Sequence, residues 1–160
     1  MRINDHTALS LAIGTPVGFA VLGGAVTGDS LTTWYPSLRK SKLVLPLWAF
    51  LPVAMLYYLM CGRILFRLVA RVAPSRDQRR ALALLLTMMT ANEGWNYLLF
   101  GRQSTREGLW GMLGFVGLTI GLFRVLYQVD QPSAALLRPY LVWLGYDVVY
   151  AFELWRLNRV

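Results

Sequence analysis

Apolar runs without charge recur along the chain. Residues 7–28 and 43–62 carry no charged side chain, residues 81–101 carry only Glu93, and residues 108–129 carry only Arg124. Each run is close to the roughly 20 residues that take a helix across a hydrocarbon core of about 30 Å. A fifth run, 134–156, is interrupted by Arg138, Asp147 and Glu153. Its central acid costs about 2.5 to 3.5 kcal/mol on an insertion scale, so this helix is expected to turn one face away from lipid. Nothing alternates like a barrel strand, and backbone groups in hydrocarbon must be satisfied within their own segment. The pattern predicts an all-α, integral, multi-pass membrane domain over 1–160, a bundle of five transmembrane helices. Their expected spans are about 7–28, 45–70, 80–101, 108–128 and 134–156.

Composition agrees with that reading: 56% of the residues are hydrophobic and 15% charged, against about 25% charged in an average soluble chain. The net charge of +8 does not point to nucleic acid, because the bases cluster at the ends of apolar runs, where they meet lipid headgroups. Arg63, Arg67 and Arg71 repeat every four residues and are expected to snorkel to such headgroups. One cysteine, Cys61, and one histidine, His6, cannot build a disulfide, a Cys/His metal cluster or a Ser/His/Asp triad. No metal, cofactor or catalytic set is therefore expected. The first run exceeds the apolar stretch of a secretory leader and has only Arg2 upstream, so it reads as a helix. Small residues at 14, 18, 20, 24 and 28 would admit a neighbouring backbone, from this chain or from a second subunit, and Ala83, Thr87 and Ala91 form a similar stripe.

Short connections make the helices alternate in direction. The longest connection, residues 29–44, reads "DSLTTWYPSLRKSKLV" and has the length and aromatic content of a lid, with Trp34 in it. Asn92 precedes Gly101 by nine residues and Asp147 precedes Arg156 by nine. Both should then lie about 13 Å below the side that bears the C-terminus. Trp48 falls at the mouth on that side, Tyr58 deeper, and Gly23 and Val26 beside the mouth. Trp143, Asp147, Tyr150 and Leu154 share one stripe, and Asn92, Trp95 and Asn96 share one arc, with Glu93 at its margin. Facing each other, the two would wall an aromatic cavity carrying a few polar groups, the composition of a small-molecule pocket. Asp147 either faces that cavity or pairs with a basic side chain. Trp110, Tyr127, Tyr140 and Trp155 read as an interfacial belt, and Glu153 as a snorkelling end charge.

Three ordered stretches, "WYPSLRKSKLVLPLWAFLP" followed by "LYYLMCG", "NEGWNYLLFG", and "LLRPYLVW" with "LWRLN", resemble the translocator protein family, also called tryptophan-rich sensory proteins or peripheral benzodiazepine receptors. The resemblance runs over nearly the whole chain. It implies a five-helix membrane bundle, frequently a homodimer, that binds porphyrins and, in animal members, cholesterol. It places pocket positions on Trp48, Tyr58, Asn92, Trp95 and Trp143, with Val26, Phe50 and Val53 as apolar lining. With Trp34 from the lid loop, and Asp147 and Tyr150 from the depth and phase argument, these make the candidate ligand site.

Departures from the family pattern bear on the ligand. Ser41 stands where a proline usually follows Lys40, Leu45 replaces the first of two prolines, and Ala54 occupies the position of a pocket tryptophan. Asp147 replaces a small apolar residue, Gly145 is the small residue two before it, and Ala151 stands for an asparagine. An ionised Asp147 would repel porphyrin propionates, which shifts preference toward cationic or amide-bearing molecules, whereas a protonated one, the form that burial favours, could donate a hydrogen bond. The expected function is binding, and transport or sensing, of hydrophobic tetrapyrrole-like or sterol-like ligands, with membrane lipid as the other partner. The alternatives are a proton-coupled small-molecule transporter using Glu93 and Asp147, and a porphyrin-degrading enzyme. Val148, Tyr150 and Arg156 also fit a proposed cholesterol pattern that is common by chance.

Overall fold

The computed structural model describes residues 4–159; Arg2 lies outside them. Five long helices make up the fold: α1 (Asp5–Thr27), α2 (Phe50–Ala70), α3 (Arg76–Asn96), α4 (Thr105–Val129) and α5 (Gln131–Asn158). Local sequence sets their ends. The Asn4 side chain accepts from the Thr7 amide at 2.8 Å, Ser75 caps α3, and Ser104 caps α4, each satisfying a donor that a helix start leaves free. Gly28 closes α1 at φ 57°, a conformation in which a Cβ would be strained.

Several bounds differ from the sequence expectation. The second helix does not start at 45: Pro46 is extended, a 3-10 turn Leu47–Ala49 follows, and α2 begins at Phe50. The third begins at the Ser75 cap, before the expected residue 80, and ends in a π-helical turn, Tyr97–Gly101. The fourth begins at Thr105, ahead of residue 108. The fifth begins at Gln131 and runs to Asn158, because Pro132 is tolerated in a first turn.

Three segments, Asp5–Thr27, Leu47–Ala70 and Thr105–Val129, are by themselves long and apolar enough to cross a membrane. The expected five spans are thus met by three on this measure. The other two helices fall short because α3 opens with Arg76, Asp77, Arg79 and Arg80 and because α5 carries Arg138, Asp147, Glu153 and Arg156. Even so, Glu93, Asp147 and Glu153 are all buried within the bundle. The chain is an integral, multi-pass membrane protein, with long apolar helices that present their bulk outward.

The inside-out distribution is plainest on α1. Its buried positions are Ala8, Ala12, Pro16, Gly23 and Thr27, while Leu9, Ile13, Val17, Val21 and Leu22 are exposed. Large apolar side chains outward and small ones inward suit a helix solvated by acyl chains. Around the bundle the neighbours run α1, α2, α5, α4, α3 and back to α1. A dense core of Ile64, Leu68, Leu85, Met88, Leu122 and Leu137 fills the interior at the end away from the long loop.

Two contacts fix this frame. At Gly62 the α1 and α2 backbones come together: a Cβ there would lie 2.5 Å from the Ala12 carbonyl oxygen and 3.3 Å from Pro16. By contrast, Gly14, Gly18 and Gly24, expected as a packing stripe, have no neighbour within 4 Å. At the same end as the dense core, Arg67 donates twice to Asp130, both at 2.8 Å, and the Ser133 hydroxyl bonds the same carboxylate. Arg67 is therefore an interhelical partner and not a headgroup anchor. Arg71, itself exposed, reaches Asp5 at 3.2 Å, leaving Arg63 as the member of that triplet with no ion pair among the described residues.

Gly62→Ala is expected to lower stability by about 1 to 3 kcal/mol, the range for overpacking a tight contact, read as a lower thermal midpoint in detergent. Gly14→Ala and Gly18→Ala should leave the midpoint unchanged. The bonds to Arg67 and Ser133 hold the Asp130 carboxyl below the usual aspartate range. Its stabilisation is present above the unfolded-state value and is lost as pH falls through the lowered folded-state value. Asp130→Asn should accordingly lower the midpoint at neutral pH and flatten its decline under acid.

Candidate functional site

Above the dense core the bundle opens into a cavity of about 550 Å³. From α5 it is lined by Tyr140, Trp143, Asp147 and Tyr150, which fall on one helical stripe. From α3 come Asn92, Trp95 and Asn96, and from the π turn Phe100. The α2 segment contributes Trp48, Phe50, Val53, Ala54, Tyr57 and Tyr58, and the long loop and the end of α1 add Leu31 and Thr27. Of the residues singled out in the sequence, Trp48, Phe50, Val53, Tyr58, Asn92, Trp95, Trp143, Asp147 and Tyr150 all reach this cavity. Trp48 is 75% exposed, which places it at the rim.

Val26 and Trp34 do not line it. The Val26 carbonyl oxygen lies 3.1 Å from where a Cβ on Gly101 would be, so that turn of α1 packs on the π turn. Trp34 packs on the far side of a small cluster of Tyr35, Leu99, Phe100, Tyr150 and Leu154, of which only Phe100 and Tyr150 reach the cavity, because the chain turns tightly after Gly28 and starts a short 3-10 turn at Tyr35. Tyr140 is the converse case. Read as an interfacial tyrosine, it instead packs on Tyr57 with ring centroids 5.1 Å apart and lines the cavity floor. The signal was present, since Tyr140 precedes Trp143 by three residues and so continues its stripe. Ala54, the position of the missing tryptophan, also lines the wall.

Aromatic rings shape the walls. Phe50 meets Trp143 edge-on at 5.8 Å and Tyr150 at 5.2 Å, geometries that aromatic pairs favour. The Trp95 indole donates to the Gly108 carbonyl at 3.0 Å, holding its ring upright between α3 and α4. The π turn that follows lets Leu99 and Phe100 turn inward; such turns recur beside functional sites.

Glu93, expected at the margin of its arc, does not line the cavity but lies behind the wall, where it gathers the polar groups of three wall residues. It is 3% exposed and accepts three hydrogen bonds, from Tyr58 Oη at 2.7 Å, Asn92 Nδ2 at 3.0 Å and Asn96 Nδ2 at 2.9 Å. The carboxylate fits against Gly23 of α1, where any Cβ would collide with it. Asn92, Asn96 and Tyr58 thus turn donors back to Glu93 while their flanks face the cavity. Tyr58 also borders an outer, apolar groove of about 500 Å³ between α1 and α2, so one ring separates the two.

Asp147 is different. It is 8% exposed, lines the cavity, and has no hydrogen-bond partner among the described residues; the Trp143 indole one turn earlier lies near it without bonding geometry. Glu153, expected as an end charge, is buried and paired with Arg156 through bonds of 3.1 and 3.0 Å. Among the described residues no Lys, Arg or His lines the cavity.

The long loop is tied down over the same end of the bundle. Asn158 accepts from the Arg39 amide and donates to the Arg39 carbonyl, both at 2.9 Å. Tyr146 Oη accepts from the Leu45 amide at 2.9 Å and donates to the Leu43 carbonyl at 3.2 Å. Tyr150 Oη bonds Tyr35 Oη at 3.2 Å. Lys40 lies over the Tyr35 ring at 4.3 Å and donates to the Leu38 carbonyl, and desolvation there lowers its ammonium below the ordinary lysine value.

A family model described as the TspO/MBR family matches residues 12–156. The chain belongs to the TspO/MBR family. It is 32% identical to protein CrtK of Rhodobacter capsulatus over 134 residues, covering 78% of each chain. It is 31% identical to the tryptophan-rich sensory protein of Cereibacter sphaeroides over 152 residues, 92% of this chain and 87% of that one. Identity to the translocator protein of Bos taurus is 27% over 140 residues, 87% of this chain and 83% of that protein. These bacterial relatives mark it as a divergent, bacterial-type TspO/MBR protein.

Removing one donor from a buried carboxylate costs about 1 to 3 kcal/mol. Tyr58→Phe should therefore lower the thermal midpoint, whereas Tyr97→Phe, on an exposed ring, should not; equal midpoints for Tyr58→Phe and the parent would show that Glu93 does not depend on this bond.

Proposed function

We propose that this TspO/MBR protein spans the membrane with all five helices and binds a hydrophobic, flat, tetrapyrrole-like small molecule in the cavity beneath its long loop, for transport or sensing. The observation that carries the reading is the cavity: about 550 Å³, mostly apolar, with a few convergent polar groups, in the size range of ligand pockets. Family membership supplies the ligand class. The helix lengths support five crossings, since even α3, at 21 residues, reaches about 30 Å, and the carboxylates of α3 and α5 turn inward.

Each element has a part in binding. Trp95, Trp143 and Phe50 offer flat faces for stacking, Trp48 guards the rim, and Asn92 and Asn96 give a polar edge. The loop acts as the lid, held by Asn158, Tyr146 and Tyr150. The Asp147 carboxylate works against a carboxylated ligand, because burying a second negative charge beside it in a low-dielectric cavity is unfavourable.

Equilibrium binding of protoporphyrin IX in lipid nanodiscs, followed by the porphyrin absorption band, tests this. The parent should bind saturably, and Trp143→Leu should weaken binding about tenfold, as expected for losing a stacked aromatic worth about 1 to 1.5 kcal/mol. Asp147→Ala should bind the porphyrin more tightly than the parent. Absence of saturable binding to both the parent and Asp147→Ala, or equal affinity for parent and Trp143→Leu, would count against the cavity as the site.

A further inference from the structure

The cavity holds a carboxylate that the protein itself leaves unanswered. Asp147 is more than nine-tenths buried, faces the cavity, and receives no hydrogen bond from any described residue. The other buried acids are all satisfied: Glu93 by three donors, Glu153 by Arg156, and Asp130 by Arg67 and Ser133. The Asp147 carboxylate opens onto the cavity, so an acceptor that the described residues leave without a donor takes its partner from what fills that space. Around Asp147 no basic side chain makes that supply, since among the described residues none lines the cavity.

The surroundings specify the partner further. Trp143 lies one turn before Asp147 and Tyr150 one turn after it, with Tyr140 on the same stripe and Phe50 packed across from Trp143 and Tyr150. Aromatic faces carry negative electrostatic potential and attract organic cations, and several such faces around one point form the usual cage for a substituted ammonium. A carboxylate at the base of the cage adds a charge-assisted acceptor for an N–H group. Behind the wall, Glu93 adds a second negative charge whose donors are Tyr58, Asn92 and Asn96, all of them neutral. The two charged groups at and behind the wall, Asp147 and Glu93, are both acids.

We infer that the native ligand is an aromatic or amphiphilic amine, bound as its protonated cation with an N–H donating to Asp147 and its rings stacked on Trp143 and Trp95. The inference rests on the cavity being the ligand site, and it adds the charge of the ligand to that reading. Neutral ligands of the same shape bind more weakly because they leave the carboxylate unpaired, and anionic ones more weakly still.

Three probes on one ring system separate these cases: 9-aminoacridine as the cation, acridone as the neutral form and acridine-9-carboxylate as the anion. Binding is measured by equilibrium dialysis at neutral pH against the full chain in nanodiscs of zwitterionic lipid, with protein-free discs subtracted. The parent should bind 9-aminoacridine about tenfold or more tightly than acridone, and acridone more tightly than the carboxylate. Asp147→Asn, nearly isosteric, should lose that tenfold for the cation and keep the acridone affinity. Parent protein that binds acridone and 9-aminoacridine alike, or Asp147→Asn that keeps the preference, overturns the inference and leaves the cavity reading standing. Parent protein that binds none of the three overturns both. The parent ladder decides the question by itself if the variant does not fold.

Discussion

The Glu93 carboxylate is the interaction on which the upper half of the bundle depends. It sits where α1, α2 and α3 converge, against Gly23, with the hydroxyl of Tyr58 and the amides of Asn92 and Asn96 around it. Among the described residues no cation pairs with it, so its burial is offset by three directed donors, and each of those donors is thereby fixed in orientation. The wall of the cavity follows from that. One amide donor each of Asn92 and Asn96 and the hydroxyl of Tyr58 are held toward Glu93, and what these residues present to the cavity is set by what they give to it.

The rest of the structure separates two tasks along the helix axes. At one end, Met, Leu and Ile from α2, α3, α4 and α5 fill the interior, and the Arg67, Asp130 and Ser133 cluster joins α2 to the junction of α4 and α5. At the other end, tryptophans and tyrosines too large to interdigitate leave a cavity. Packing density on one side and aromatic bulk on the other are properties of the same five helices, set by which residue types fall on the inward stripe at each depth.

Much of this was legible in the sequence. The apolar runs gave five helices, and the 3.6-residue phase of α5 gathered Trp143, Asp147 and Tyr150 on one stripe, as the phase of α3 did for Asn92 and Trp95. Matching depth then brought the two helices to one level. What phase and depth cannot supply is partnership across helices. Glu93 sits between Asn92 and Asn96 in sequence, but its importance comes from Tyr58 and Gly23, residues on two other helices. Trp34 was placed in the cavity from its loop position, and a tight turn after Gly28 carries it elsewhere. Tyr140 and Glu153 looked interfacial because they lie near span ends, yet α5 begins earlier and runs further than its apolar stretch, which shifts both inward. The small-residue stripe of α1 predicted close packing, whereas α1 and α2 meet backbone to backbone at Gly62, a lone glycine with no repeat to advertise it.

The clasp between the long loop and α5 carries a bias in what each side can change. Asn158 and Tyr146 reach main-chain atoms of Arg39, Leu43 and Leu45, groups that every residue type except proline provides in full. Side chains along that stretch of loop are therefore free to drift without loosening its attachment. The two α5 residues have no such latitude, since their own side chains make the bonds. Variation in this protein should accumulate on the strap and spare the buckle.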